Sequence, residues 1–398
     1  MRFGLAGFLL LVVAAPALSR APSWPAGDAE PAALALLFPQ SATVERQSLA
    51  AAHRAGDAAA VRAGLGRLAA LGYAPSEQTM ILLAPHVPAA EMETLRRRFA
   101  ANQGRVQASG LLATVPAEHR LVEGIAWDSE TNRLFAATVV SRALLVREPL
   151  GWVKVEGLDT GSLFGLAIDR RRDLLWIASG RVEQTPSPET AFRGLIAVDL
   201  NSLMPAHRLP APGDGSPADI AVGADGTVYA SDPLSGALYR ARPGDAALGV
   251  LVPPGRLRSP QGLVPAAEGR RLYVSDYGRG LAIVNLADGS LTRLESDVST
   301  MLDGIDGLTA WRGGLIAIQN GTNPRRILLL TLSRDGRRIT RVRVLESNHA
   351  DWGEPTLGFV QDDRFLYVAD AQWERYGAGG APIGAEPARP TAIRFLRP

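Results

Sequence analysis

The chain has 398 residues, a formal charge of +2, 46% hydrophobic residues and no cysteine. That length allows a large buried core and a smaller second unit. The missing thiols exclude disulfides and thiolate metal sites, and the near-neutral balance leaves no electrostatic footprint for nucleic acid.

Met1-Arg2-Phe3 places one positive charge ahead of the apolar run Leu5 to Ala15, and small residues follow at Ala17 and Ser19. This pattern predicts a secretory signal over residues 1–19 and a periplasmic or secreted mature protein with no membrane span. Residues 20–41, rich in Pro and Ala, read as a linker.

Helical signals fill residues 42–104. Thr43 to Ala55 stops at Gly56, Asp57 is placed to cap Ala58 to Leu71, and Ala89 to Asn102 ends before Gly104. The hairpin LAAAHRAGDAAAVRAGLGRLAALGY resembles a tetratricopeptide unit. One unit is too few for a solenoid, so a small helical cap beside the main domain is expected, with a surface available to a protein partner. The basic side chains are nearly all arginine, Lys154 being the only lysine, and the runs at Arg96-Arg97-Arg98 and Arg170-Arg171-Arg172 read as solvated faces.

Beyond Gly104 the pattern changes to short alternating strands that repeat. EGIAWDSETNRLFAAT at Glu123, FGLAIDRRRDLLWIAS at Phe164 and ADIAVGADGTVYASD at Ala218 are followed by QGLVPAAEGRRLYVSD at Gln261, DGLTAWRGGLIAIQN at Asp306 and PTLGFVQDDRFLYVAD at Pro355. Each copy is a hairpin followed by a third strand, and a fourth strand precedes the next copy. The spacing predicts a mainly β fold, a six-bladed β-propeller over residues 105–398 preceded by a small α-helical segment. The last copy lacks its fourth strand, and GLLATVP, near residues 111–115, is free to supply it and close the ring.

In such a ring the residues that open the copies surround one mouth: Glu123, Phe164, Ala218 with Asp219, Gln261, Asp306, and Pro355 with Thr356. Two carboxylates about 5 Å apart repel by about 3 kcal/mol at an effective dielectric of about 20, so a compensating group is expected. A divalent cation is one answer, for which hard oxygen donors favour calcium; separation, water or a salt bridge to an arginine such as Arg120 are others.

The Glu-Gly opening at Glu123, the SPQGL…LYVSD copy and the GIDGL copy resemble the senescence-marker and gluconolactonase family of propellers, and more distantly the paraoxonases. The resemblance implies hydrolysis of a lactone or related ester with a divalent metal, calcium foremost, in the central tunnel. It places metal ligands at Glu123 and Asp306, a lengthened ligand at Gln261, and no side-chain ligand at Ala218, where Asp219 or water would substitute. Asp306 would also act as the base. Asn320 is a further candidate at the metal, and His349, in the loop entering the last copy, a candidate proton carrier. Trp352 and Trp373 are expected to pack between blades, or to line a pocket for a small-molecule ligand.

No phosphate-binding glycine loop, nucleophile elbow or paired histidine motif occurs. The alternative is a non-catalytic propeller that binds a small molecule or a protein partner. A strictosidine-synthase-like propeller has no specific mark in the sequence.

Overall fold

The structure is a computed structural model that describes residues 24–25 and 31–398. The expected signal segment lies outside the described residues. Six sheets are arranged as blades, five of them four-stranded and one five-stranded. Their inner strands are Val122–Asp128, Ser162–Asp169, Ile220–Val222, Pro260–Pro265, Ile305–Trp311 and Gly358–Gln361, which we number blades 1 to 6. Blades 1 and 2 show the rule behind the core: Phe135, Leu144 and Val146 of one meet Leu163, Leu175 and Ile177 of the other, all buried. Alternation along each strand therefore fills both inter-blade gaps.

The closing strand lies where the repeat predicts it. Gly110–Val115 pairs antiparallel with Thr391–Leu396, from Gly110 opposite Phe395 to Val115 opposite Thr391, and completes blade 6. The first and last parts of the chain thus share one sheet, which removes the exposed edges an open ring would carry.

Among the described residues five α-helices precede the ring: α1 (Pro31–Leu37), α2 (Ala42–Arg54), α3 (Ala58–Leu71), α4 (Glu77–Leu83) and α5 (Ala89–Asn102). The stretch read as a linker therefore contains a helix. It is held because Trp24, Leu34 and Phe38 share a buried cluster with Leu251, Leu257 and Leu291 of the propeller, and burial of aromatic surface outweighs the low helical signal of a Pro-Ala stretch. Ser41, Asp57 and Ser76 cap α2, α3 and α4 by accepting from Val44, Ala60 and Thr79 backbone N–H groups. Gly72 ends α3 at φ +85°, a left-handed position that favours glycine.

The helices form a cap on the mouth face above blades 4 and 5. Asp303, in the loop that leads into blade 5, accepts from the first N–H groups of α2, Ala42 at 2.9 Å and Thr43 at 2.7 Å. Ser41 Oγ donates to the Gly278 carbonyl at 2.9 Å, and Asn323 and Ala74 exchange two hydrogen bonds. Met301 from the propeller is fully buried in the helical core. Cap and ring consequently share apolar and polar contacts at the loops that line the mouth.

Candidate site at the tunnel mouth

The inner strands are irregular where the site is built. The pairing ladder of blade 1 skips Glu123, that of blade 2 skips Phe164-Gly165, that of blade 4 Gln261-Gly262 and that of blade 5 Asp306-Gly307. A bulge frees its residues from the ladder and re-aims their side chains. The glycine that follows has a separate cause. A Cβ on Gly124 would lie 2.2 Å from the Phe164 carbonyl, and one on Gly262 would lie 2.5 Å from the Leu308 nitrogen. Neighbouring inner strands approach so closely around the axis that only glycine fits. The recurring x-Gly dipeptide is thus a mouth residue followed by a packing residue.

Blade 3 departs from this pattern. Asp219 occupies the glycine position, and its Oδ1 lies 2.4 Å from where a Gly165 Cβ would be. That oxygen accepts from the Ile220 backbone at 2.7 Å. Ala218 contributes only backbone, its carbonyl accepting from Gly165 N at 2.8 Å.

Glu123, 6% exposed, accepts from Trp373 Nε1 at 2.8 Å. Asp306 Oδ2 accepts from Asn320 Nδ2 at 2.7 Å, the same nitrogen donates to the Pro355 carbonyl at 2.9 Å, and Asn320 Oδ1 accepts from the Tyr277 hydroxyl at 2.8 Å. These bonds set the amide's orientation, with nitrogen toward Asp306. Asp219 and Asp306 are half-buried, and Asp219 lines the tunnel cavity.

Burial raises the pKa of each of the three carboxyls. Asp219 and Asp306 are pushed up to about 7, Asp306 against the favourable Asn320 bond and with the charges of Glu354 and Asp219 adding to the rise. Glu123 is raised well above the usual range by burial and then by the charge of Asp306, against the Trp373 bond. No arginine is among the principal causes of these shifts, and among the described residues the salt bridge to Arg120, one of the alternatives to a cation, does not form. Below them the tunnel encloses about 280 Å³ between residues such as Ile125, Leu166, Val222, Leu263, Leu308 and Phe359.

Gln261 donates its amide to Ser259 Oγ at 3.2 Å, within its own loop. His349 stands on the mouth-face loop between blades 5 and 6, where its ring lies 3.8 Å from Glu346 and its Nδ1 accepts from Asp351 N. Burial lowers its pKa, and the charges acting on it are Arg394, Glu346, Asp351 and Arg105, none of them at the tunnel. It belongs to the network that ties Ser109, Tyr367 and Arg394 to buried Glu346. The structure therefore brings together Glu123, Asp219, Asp306 and Asn320, and leaves Gln261 and His349 engaged elsewhere. Among the described residues, no group of three or more His, Asp or Glu converges to hold a metal ion. The buried oxygens of Glu123 and Asp306, mutually repelling and without a cationic side chain, are the pair whose chemistry fits a hard cation.

Sequence reasoning missed Tyr277 and Glu354. Tyr277 follows the LYVSD strand end, and burial with the charges of Asp306 and Glu354 holds its hydroxyl protonated far above the ordinary range. Glu354 lies one residue before the last copy, raised by burial and tempered by Arg325. Trp352 meets Tyr367 edge to face, as expected of a packing residue, whereas Trp373 reaches the mouth.

No protein-family model matches the chain, and no curated protein matches it. Among solved structures, virginiamycin B lyase from Staphylococcus aureus is 12% identical with a TM-score of 0.51, over 72% of this chain and 99% of its own. A structural-genomics protein from Bacteroides thetaiotaomicron is 12% identical at a TM-score of 0.50, over 74% and 72%. A gluconolactonase from Xanthomonas campestris is 18% identical at 0.47, over 74% and 99%. The likeness is one of fold. No described helix is long and apolar enough to cross a membrane.

Proposed function

We propose that the protein is an exported hydrolase of a lactone or related ester that works at the tunnel mouth with a divalent cation, calcium foremost, held by Glu123 and Asp306. The observation that carries this reading is the pair itself: two carboxylates on blades 1 and 5, the charge of Asp306 acting on Glu123, each raised by burial and each with one side-chain N–H donor. A cation there would polarise the ester carbonyl and acidify water. Asn320 holds one oxygen of Asp306 and leaves the other for a proton. Burial pushes the pKa of Asp306 up to about 7 without the cation, and a bound cation would lower it, so as a ligand Asp306 stays ionised and able to accept a proton from water. Trp373 holds Glu123 through its indole N–H while its ring packs against the core.

A second reading, a propeller that binds a ligand without turning it over, is favoured by one observation. Gln261 is turned to Ser259 and Ala218 offers only backbone, so two ring positions contribute no side chain to the tunnel. The deciding experiment is thermal stability with calcium and with chelator, for wild type and Asp306→Asn, followed by a panel of lactones and aryl esters. Stabilisation by calcium that the variant loses, with turnover of a lactone, is the expected result. Stabilisation without turnover selects the second reading. No effect of calcium on wild type removes the cation.

A further inference from the structure

On the face opposite the mouth, blades 4 and 5 enclose a groove of about 720 Å³, within the range of small-ligand sites. Its lining includes Arg270, Arg271, Arg334 and Arg337 against two carboxylates, Glu268 and Asp335. Both carboxylates are already engaged. Glu268 accepts from Arg271 Nε at 2.5 Å, and Asp335 Oδ1 accepts from Ser333 Oγ at 2.6 Å and from the Arg337 backbone at 3.1 Å. Among the described residues Arg270, Arg334 and Arg337 close no ion pair within 4 Å, although the charges of Arg270 and Arg337 act on Glu268 and Asp335.

The groove is held in shape by its floor. Arg271 Nη1 donates to the Asp335 carbonyl at 2.6 Å, and the Tyr273 hydroxyl donates to the Gly336 carbonyl at 2.8 Å, so the hairpin carrying Arg334 and Arg337 is fastened onto blade 4. That approach requires glycine, since a Cβ on Gly336 would lie 2.4 Å from the Tyr273 oxygen and φ there is +66°. The opposite wall presents Ser290, Thr292 and Asn285, the last with its carbonyl oxygen taken by Ala287 N and its amide N–H groups meeting no acceptor among the described residues. An adjoining hollow shares Arg270 and Asn285 and adds Arg240 and Arg242.

We infer that this groove is a binding site for a soluble small molecule carrying two or more phosphate groups. Planar guanidiniums bind phosphate oxygens through paired N–H bonds, and four of them facing two carboxylates around one fixed groove leave an excess of positive charge for an anionic ligand. A groove recessed between two blades suits a free ligand better than a flat bilayer surface. The site is independent of the tunnel chemistry.

The test is calorimetric titration of the full chain with inorganic tripolyphosphate at low and at physiological salt, beside flotation with vesicles containing anionic phospholipid. Saturable binding that weakens with salt is expected, with a loss of about tenfold or more in Arg334→Ser/Arg337→Ser. The charge-matched control Arg96→Ser/Arg98→Ser, on α5, should bind as wild type does, and melting curves of both variants report that they fold. Equal affinity in both double variants, an equal loss in the control, no binding at physiological salt, or capture by vesicles in place of tripolyphosphate would each overturn the assignment.

Discussion

Asn320 and Asp306 are joined at 2.7 Å across the mouth of blade 5, and the same amide nitrogen reaches the Pro355 carbonyl of the next blade. The candidate base is thereby tied to its neighbour and, through Tyr277, to the loop on which the helical cap rests. Replacing Asn320 by Ala removes the donor and leaves Asp306 to turn. Hydrogen bonds to charged groups contribute about 1.5–3 kcal/mol, so a loss of about tenfold or more in cation affinity or lactone turnover is expected, with an unchanged circular dichroism spectrum. Unaltered affinity and turnover would show that Asp306 does not depend on this bond.

The tunnel carboxyls make stability depend on pH in a definite direction. Asp219 and Asp306 have folded pKa values of about 7 against an ordinary 3.8, so the folded state binds more protons than the unfolded state between those values. Stability is therefore greatest below the unfolded pKa and falls as pH rises toward 7. Denaturant titrations in chelator at pH 5 and pH 8 should find the lower pH more stable from this source, with Asp219→Asn flattening the slope. A slope of opposite sign that survives the substitution would contradict the burial account.

Asp303 is the cap's principal polar anchor. Its carboxylate serves two N–H groups at the start of α2, although burial raises its pKa. Asp303→Ala should cost about 1–3 kcal/mol, combining a lost helix cap with two unsatisfied buried donors. Urea unfolding measures the loss, and faster proteolysis within residues 42–104 would locate it in the cap.

Gly165 and Asp219 exclude one another's enlargement. A Cβ at Gly165 would meet Asp219 Oδ1 at 2.4 Å and the Ala218 carbonyl at 3.1 Å. Gly165→Ala should destabilise by roughly 1–3 kcal/mol, as overpacking does, and Asp219→Gly in the same chain should recover part of it. Strictly additive effects in that double-mutant cycle would mean the contact carries no energy.

The ring, its six copies and the address of its closing strand were legible in the sequence, because a blade is made of neighbouring hairpins whose apolar alternation is local and repeats. Glu123, Asp219 and Asp306 were legible as mouth residues for the same reason. Tertiary structure decided the rest. That Trp373 bonds Glu123, that Tyr277 orients Asn320, that Gln261 turns to Ser259 and that His349 joins Glu346 depend on loops of no fixed pattern. Residues 31–37 became a helix, and the cap came to rest on the mouth, through contacts with chain more than two hundred positions away. Such contacts follow from burial and unsatisfied backbone groups meeting in space, which the periodicity of a single segment does not encode.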